Sequence, residues 1–258
     1  MSNLIPSVVV LGGTGALGSC LVQQWLEHTA GEVHVVRVGS KPVPRGHDEE
    51  LVEVGWDPTI QPLSFSQLAG IFDGSEGRYP WLVINAIGVN QVLETPELMM
   101  HTWQQLLAVN VWPTVAVVKA LLQAPMPEGV RPTLVSVGSS ACDGAGAHSL
   151  AYVSAKHALT GVTRSLARDM KGRINVLQVN PPKLDDPGSR MSKLIDNRQA
   201  ELRGTTVEAE KRRQAASSPS GEGYPTSETV ARWIYHLLRD PQDHQHLHGT
   251  VVRIGYAS

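Results

Sequence analysis

The sequence has little that would suit a secreted, membrane-spanning or nucleic-acid-binding protein. It contains only two cysteines, Cys20 and Cys142, too few for a disulfide framework and typical of reduced thiols in the cytoplasm. No apolar run approaches the roughly 20 residues of a membrane-spanning helix, and the N-terminal stretch lacks the charged region of a signal peptide. The net charge of -2 leaves no basic excess for nucleic acid or an anionic membrane. We therefore expect a cytoplasmic protein whose ligands are small molecules.

The chain does contain a series of short valine-rich runs, separated by segments with helical spacing. Runs without polar alternation indicate strands covered on both faces, as in a parallel sheet. The predicted strands are 7–11, 33–38, 51–54, 81–85, 133–138, 174–179 and 250–254. A helix is predicted directly after the first run, and others over 98–123, 153–170 and 228–239. The alternation predicts an α/β fold, a single-domain doubly wound Rossmann fold of about seven parallel strands flanked by helices on both faces.

One segment differs from the rest in composition. Residues 183–213 contain 14 charged side chains, eight basic and six acidic, and the Ser/Pro/Gly-rich stretch 217–225 follows. The segment lies near the predicted carboxyl ends of the strands, where α/β proteins bind ligands. Such a polar insertion is not expected to be core, and we interpret 183–225 as a mobile substrate flap. The alternative is a solvated helix without a role in binding.

A glycine-rich turn, 11-LGGTGALG-18, directly follows the first predicted strand and precedes an amphipathic helix. Gly12, Gly15 and Gly18 permit a tight turn, a close approach of the backbone to a pyrophosphate, and close packing of helix on strand. The helix N-terminus then supplies free N–H groups and the positive end of a dipole. The position of the turn, between the first strand and the first helix, predicts dinucleotide binding.

The end of the second predicted strand indicates which nicotinamide cofactor is bound. A carboxylate there would hydrogen-bond the ribose hydroxyls and exclude a 2′-phosphate. This chain has Arg37, Ser40 and Lys41 instead, whose guanidinium, hydroxyl and ammonium suit a phosphate, so NADP(H) is favoured over NAD(H). The alternative is that Arg37 is only a surface residue at a strand end. Asp57 is placed to accept a hydrogen bond from an adenine amino group, or else simply forms an Asp-Pro turn.

Three motifs together make the chain resemble the short-chain dehydrogenase/reductase family: the glycine turn, 85-NAIG-88 and 152-YVSAK-156. The family has a serine 13 residues before the tyrosine, which Ser139 matches. It also has an asparagine in the long helix after the fourth strand, which Asn110 matches. The resemblance extends over nearly the whole chain. It implies a single Rossmann-type domain that interconverts a carbonyl and an alcohol.

By this resemblance Tyr152 is the general acid/base, and Ser139 hydrogen-bonds and polarises the carbonyl oxygen. Lys156, one helical turn from Tyr152, is expected to lower the pKa of the phenol and to hold the nicotinamide ribose. Asn110 is expected to anchor a water that links Lys156 to solvent. Pro113 lacks an N–H for the carbonyl of Val109 and predicts a local break in that helix.

The resemblance also implies which residues bind the cofactor. They are Gly12, Thr14, Gly15, Leu17, Gly18, Asn85, Ala86, Gly88, Tyr152, Lys156, Pro181 and Leu184, in addition to Arg37, Ser40, Lys41 and Asp57. The chain departs from the family at three of its motif positions. Ala86 stands where an asparagine braces the sheet, and Pro182 and Asp186 stand where the family has a glycine and a threonine. We expect the loop over the nicotinamide to run differently for this reason.

The sequence thus predicts an NADP(H)-dependent oxidoreductase, or alternatively a catalytically weak dinucleotide-binding sensor or scaffold of the same fold. No metal site is expected, because the run 244-HQHLH-248 has no carboxylate or cysteine companion and is interpreted as a surface turn. A homodimer or homotetramer is expected through 98–123 and 153–170, which carry more apolar residues than one buried stripe needs. The apolar residues expected at this interface are Val115, Val117, Val118, Leu121 and Leu122.

Overall fold

The computed structural model describes residues 5–29, 32–39, 51–55, 65–72, 77–144, 146–218, 221 and 223–255. The strands within these ranges are β1 (Ile5–Leu11), β2 (His34–Gly39), β3 (Leu51–Gly55), β4 (Arg78–Asn85), β5 (Thr133–Val137), β6 (Asn175–Asn180) and β7 (Val251–Arg253). The helices are α1 (Ala16–Thr29), α2 (Phe65–Phe72), α3 (Met100–Leu121), α4 (Leu150–Asp169), α5 (Arg190–Leu202), α6 (Val207–Ala216), α7 (Ser227–Leu238) and α8 (Pro241–His244). Short 3-10 turns cover Thr95–Glu97 and Ser140–Cys142.

The seven strands form one parallel sheet in the order β3-β2-β1-β4-β5-β6-β7. This confirms the predicted doubly wound α/β fold. Each predicted strand is present, and its ends differ from the expected ones by at most three residues. The chain order reverses between β1 and β4, and this point is where open α/β sheets bind their ligands.

Two apolar clusters cover the two faces of the sheet, because successive residues of a strand point to opposite faces. On β1, Val8 and Val10 pack against α1 and α7, whereas Val9 and Leu11 pack against the face that carries α2, α3 and α4. All four valine and leucine side chains are at most 1% exposed. Burial on both faces explains why the strands are continuous apolar runs in the sequence.

The charged segment after β6 forms helices α5 and α6, which its high content of charged residues made difficult to predict from the sequence. Ser189, Thr206 and Thr226 each begin a helix (α5, α6 and α7) by accepting a hydrogen bond from a backbone N–H in its first turn.

Helix α3 was expected to break near Pro113, but it is continuous from Met100 to Leu121. Pro113 is buried, and the loss of one backbone hydrogen bond there does not interrupt the helix. Among the described residues, no helix has the length and apolar character needed to cross a membrane.

Candidate active site

A cleft of about 1470 Å³ opens at the carboxyl ends of the strands, beside the reversal between β1 and β4. Eleven of the residues expected at the site line it: Thr14, Gly15, Leu17, Gly18, Ala86, Gly88, Ser139, Tyr152, Lys156, Pro181 and Leu184. The cleft is also lined by residues of the flap, the segment 183–225, which include Met191, Leu194 and Gln214. Most of the site residues expected from the sequence therefore lie together in this cleft.

The glycine turn is a close-packed backbone cradle. Gly12 has φ +78°, a left-handed conformation that favours glycine. A Cβ on Gly18 would lie 2.1 Å from the carbonyl oxygen of Gly12, so helix α1 begins directly against the turn. A Cβ on Gly12 would lie 3.0 Å from the backbone of Ala86, which joins the turn to the end of β4. Side chains at these positions would displace the backbone from the place where a pyrophosphate is expected.

Arg37 lies beside this turn, on β2. Its side chain covers Gly13, where a Cβ would meet Arg37 Cγ at 2.6 Å. The side chain is half-buried, and desolvation lowers the pKa of its guanidinium. Gly39 and Thr14 are also in close contact, because a Cβ on Gly39 would lie 2.3 Å from the Thr14 side chain. The predicted binding residues Ser40, Lys41 and Asp57 lie outside the described residues.

Asn85 was expected at the cofactor, but its side chain points into the protein and is 2% exposed. Its amide donates to Thr114 Oγ1 at 3.1 Å and accepts from the N–H of Ile87 at 3.2 Å. Thr114 Oγ1 is in turn 3.1 Å from Ser136 Oγ. This buried polar chain links β4, α3 and β5 although Ala86 has no polar side chain.

Ser139, Tyr152 and Lys156 meet at one wall of the cleft. Ser139 follows β5 and begins the turn Ser140–Cys142, where its Oγ accepts a hydrogen bond from the N–H of Ala141 at 3.1 Å. Tyr152 and Lys156 lie one turn apart on α4, and Lys156 Nζ is 5.7 Å from the centre of the Tyr152 ring. Lys156 is 2% exposed and donates to the carbonyl of Val137 at 3.2 Å.

The electrostatics of this pair differ from the expectation that Lys156 lowers the pKa of Tyr152. Burial raises the pKa of the Tyr152 phenol to about 12, although a hydrogen bond with Ser139 acts in the opposite direction. Burial also lowers the pKa of the Lys156 ammonium to about 8. Desolvation disfavours the charged form of each group, and it is the largest cause of both shifts. The unliganded pair therefore favours a neutral phenol.

Asn110 lies behind the cleft on α3 and is 1% exposed. Its Nδ2 donates to the carbonyls of Leu106 at 2.8 Å and Val89 at 3.0 Å, and its Oδ1 accepts from the N–H of Val89 at 3.2 Å. A Cβ on Gly88 would be 3.4 Å from both Asn110 Oδ1 and Lys156 Nζ. Asn110 thus holds the loop after β4 next to the ammonium of Lys156.

The loop after β6 takes its shape from two contacts. The N–H of Ser140 donates to the carbonyl of Pro181 at 2.8 Å, and Pro182 is buried. Asp186, in place of the threonine expected near the nicotinamide, caps α7 instead. One carboxylate oxygen accepts from the N–H of Ser227 at 2.9 Å and the other from Ser227 Oγ. The departures from the family pattern therefore tie this loop to α7.

The flap has a polar core of its own, contrary to the expectation that this segment holds no buried groups. Glu210 is fully buried and is bound by both Arg213 Nε (2.9 Å) and Nη2 (2.7 Å). The hydrogen bond from Arg213 is the main reason why the pKa of Glu210 falls to about 2. Gln214 also donates to Glu210 and accepts from Lys183, so the start of the flap, next to β6, is joined to α6. Of Glu210 and Arg213, only the carboxylate is buried, and the exposed Arg213 compensates its charge.

The histidine run is structural and only partly at the surface, so its interpretation as a surface turn was wrong. His244 is 2% exposed, stacks on Trp81, and bonds Thr133 Oγ1 and the carbonyl of Leu238 at 2.8 Å each. His248 accepts from the N–H of Val176 at 3.1 Å. Among the described residues, no group of three or more histidine, cysteine, aspartate or glutamate side chains is suited to hold a metal ion.

Comparisons with known proteins agree with this fold. A family model for short chain dehydrogenases matches residues 6–198. The chain is 26% identical over 171 residues to the short chain dehydrogenase/reductase dpchG of Colletotrichum higginsianum, a match that covers 62% of this chain and 61% of that protein, less than two thirds. It is 31% identical over 182 residues to the cyclic-di-GMP-binding biofilm dispersal mediator protein of Escherichia coli, with 68% and 72% covered. An NADPH-bound variant of actinorhodin polyketide ketoreductase has the same fold, with a TM-score of 0.79, 17% identity, and 98% and 97% covered.

The fold and cleft define a Rossmann-type protein with a binding site at the reversal of strand order. The chain belongs to the short-chain dehydrogenase family. Members of this family are oxidoreductases whose fold binds a nicotinamide dinucleotide. The residues present fit such a group, because the cradle at Gly12 and Gly18 has no room for side chains and Lys156 Nζ lies beside Gly88.

Proposed function

We propose that this protein is an NADP(H)-dependent reductase that interconverts a carbonyl and an alcohol, with Tyr152 as the general acid/base. The observation that supports it is the desolvated pair of Tyr152 and Lys156, which lines the cleft together with Ser139. Gly12, Gly15, Gly18, Arg37, Gly88, Lys156 and Leu184 would hold the dinucleotide. When bound, it supplies the hydride for the carbonyl carbon.

The residues of the chain then provide the proton and the polarisation. As hydride adds to carbon, the carbonyl oxygen gains negative charge and needs a proton, which the neutral phenol of Tyr152 donates. Ser139 Oγ donates a hydrogen bond to the same oxygen, since its acceptor capacity is directed at the N–H of Ala141. Lys156 stabilises the phenolate left behind, and Asn110 holds the backbone beside Lys156 through Val89. In the alcohol-oxidising direction the same groups act in reverse.

The preference for NADP(H) is tested by titrating the protein with NADPH and NADH at one fixed salt concentration. We expect NADPH to bind at least about tenfold more tightly, because Arg37 suits a 2′-phosphate. Arg37→Gln should remove this difference by weakening NADPH binding and leaving NADH binding unchanged. Arg131→Gln, at an exposed position before β5, is the matched control. Equal binding of both cofactors by the wild type would show that the role of Arg37 is wrong.

A second candidate function is a dinucleotide-binding sensor with little turnover. The relative from Escherichia coli, named as a cyclic-di-GMP-binding protein, supports it, because that ligand is also a dinucleotide. Calorimetry with cyclic-di-GMP, alone and in the presence of saturating NADPH, separates the two functions. Binding that NADPH abolishes, together with no reduction of any carbonyl in a broad panel, would favour the sensor.

We also propose that the chain is one domain, in which the flap covers the substrate end of the cleft, and that it acts as a homo-oligomer in the cytoplasm. Of the apolar residues first expected at the interface, Val117, Val118 and Leu121 are buried within the chain, so they are not available to contact a second copy. Helix α3 exposes Trp103 and Trp112 instead, at 39% and 42%. Exposed aromatic side chains of this kind are enriched in protein interfaces.

A further inference from the structure

Two amide side chains of β6, Gln178 and Asn180, lie behind the proposed catalytic residues and have no role in the mechanism so far. They are two residues apart, so they point to the same face of the sheet. Both are at most 1% exposed. They pack on Gly138, the residue before Ser139, where a Cβ would lie 2.0 Å from Asn180 Oδ1 and 2.7 Å from Gln178 Nε2. The backbone that carries Ser139 therefore rests directly on these amides.

Gln178 contacts both elements that carry the proposed catalytic groups. Its Nε2 lies 2.9 Å from Thr160 Oγ1 on α4, one turn beyond Lys156, and 3.2 Å from Cys142 Sγ in the turn after Ser139. The same nitrogen donates to Asn180 Oδ1 at 2.7 Å. A single side chain thus spans the gap between the serine turn and the Tyr152 helix.

Asn180 holds the far end of the same turn. Its Nδ2 donates to Asp143 Oδ2 at 3.3 Å, and Arg253 Nε donates to that oxygen at 3.0 Å. The hydrogen bond from Arg253 is the main reason why the pKa of the Asp143 carboxyl is lowered. The turn from Ser139 to Asp143 is therefore fixed at its start by the contact with Gly138, in its middle by Cys142, and at its end by Asp143.

This network is not optimal for stability. Gln178 Oε1 is buried, and no hydrogen-bond partner for it occurs among the described residues. A buried polar atom without a partner lowers stability, and such atoms are rare in folded proteins. Apolar side chains of similar size at positions 178 and 180 together would avoid this cost, so the pair of amides calls for a reason other than stability.

We propose that Gln178 and Asn180 are positioning residues, which hold the Ser139 turn and the Tyr152 helix at the separation that lets both hydroxyls reach one carbonyl oxygen. The inference rests on the proposed function. Neither amide touches the substrate in this scheme. Both act through Ser139 and α4. The expected consequence is that their loss lowers turnover more than it lowers cofactor binding or stability.

The test compares Gln178→Leu with Asn175→Leu, a control at the opposite end of β6, where Asn175 Nδ2 bonds Thr133 Oγ1 at 3.4 Å. For Gln178→Leu we expect kcat to fall at least tenfold, KM and the Kd of NADPH to stay within about threefold, and the protein to remain folded at the assay temperature by circular dichroism. Asn175→Leu should keep kcat. A Gln178→Leu protein that is folded and keeps kcat within twofold of the wild type overturns the proposal. Asn180→Ala, which removes the link to Asp143, serves if Gln178→Leu does not fold.

Hydrogen exchange at Gly138, Ser140 and Cys142 separates failure of this proposal from failure of the proposed function. These N–H groups bond Val179, Pro181 and Ser139. If the wild type reduces no carbonyl, the proposed function fails, and exchange still decides the positioning claim. Faster exchange at these amides in Gln178→Leu, with unchanged global stability, supports it, whereas unchanged exchange overturns it.

Discussion

Lys156 Nζ lies 5.7 Å from the centre of the Tyr152 ring, and burial shifts the pKa of each group in the direction that favours its neutral form. The pKa of the phenol is raised to about 12 and that of the ammonium is lowered to about 8. A phenol that keeps its proton at neutral pH is suited to donate it. Its conjugate base then needs a cation nearby, and the Lys156 ammonium, whose pKa is about 8, carries that charge at neutral pH.

Replacement of Tyr152 by phenylalanine should reduce turnover without loss of cofactor binding. The change removes only the hydroxyl, and general acid catalysis contributes about 10²- to 10⁴-fold to a rate. Steady-state reduction of a carbonyl substrate and NADPH titration measure the two effects. Tyr235→Phe is the control, since Tyr235 is buried against Trp25 on the far side of the sheet. Retained kcat in Tyr152→Phe would exclude Tyr152 as the acid.

Lys156→Met should stabilise the protein at neutral pH, because a desolvated ammonium is removed. A pKa lowered from 10.5 to about 8 corresponds to about 3 kcal/mol of unfolding free energy. The unfolded chain binds more protons than the folded chain between these two values, so the stability of the wild type rises as pH increases through that window. The advantage of Lys156→Met should therefore be complete below pH 8 and vanish near pH 10.5.

Urea unfolding at pH 7, 9 and 10 measures the difference in unfolding free energy between Lys156→Met and the wild type, which should shrink as the pH rises. The raised pKa of Tyr152 acts in both, so it cancels. Lys171→Met, at an exposed position, should show no such pH dependence. Equal unfolding free energies of Lys156→Met and the wild type at pH 7 would contradict the desolvation of Lys156.

Gly18→Ala should weaken dinucleotide binding and stability together. Its Cβ would lie 2.1 Å from the carbonyl oxygen of Gly12, so the glycine turn or α1 has to move. We expect a loss of about 1 to 3 kcal/mol, as for overpacking elsewhere. Gly161→Ala is the matched control in α4, where a Cβ meets nothing within 4 Å. There helix propensity should raise stability by up to about 1 kcal/mol.

Trp112→Glu should dissociate the proposed homo-oligomer. Trp112 is 42% exposed on α3, and a carboxylate in its place would have to be desolvated at an apolar contact. Light scattering at micromolar concentration should give at least twice the chain mass for the wild type and the chain mass for the variant. Leu122→Glu, just beyond the helix, tests how far the interface extends. A wild-type protein that is monomeric would show that this face has another role.

The sequence predicted the sheet because burial on both faces leaves a one-dimensional signal of valine runs. The resemblance to the short-chain dehydrogenase/reductase family placed Tyr152 and Lys156 at the active site, and their spacing of four residues puts both on one helix face. The direction of the Tyr152 pKa could not be predicted, since it depends on burial by residues far apart in the chain. Asn85 shows the same limit: its position at a strand end was correct, but the side chain turns inward to Thr114.

The flap was the least predictable element, because its charged side chains outnumber the apolar ones that would mark a helix face. Glu210 and Arg213 gave no sign in the sequence of which charges are buried. Asp186 was recognised as a departure, but its capping of α7 required the three-dimensional partner Ser227. Gln178 and Asn180 place two amides in a valine-rich strand, and this interruption was the sequence signal that could have indicated them.

The separate polar core of the flap makes the chain modular. Helices α5 and α6 are joined by Gln214 of α6, which donates to Asp196 and Gln199 of α5, while the proposed cofactor cradle is built by the sheet, α1 and the capped loop at Asp186. A different pair of helices grafted between Gly188 and Gly223 would leave the cradle intact. In the proposed function, substrate range can then change, in nature or by engineering, without a change in the residues that hold the dinucleotide.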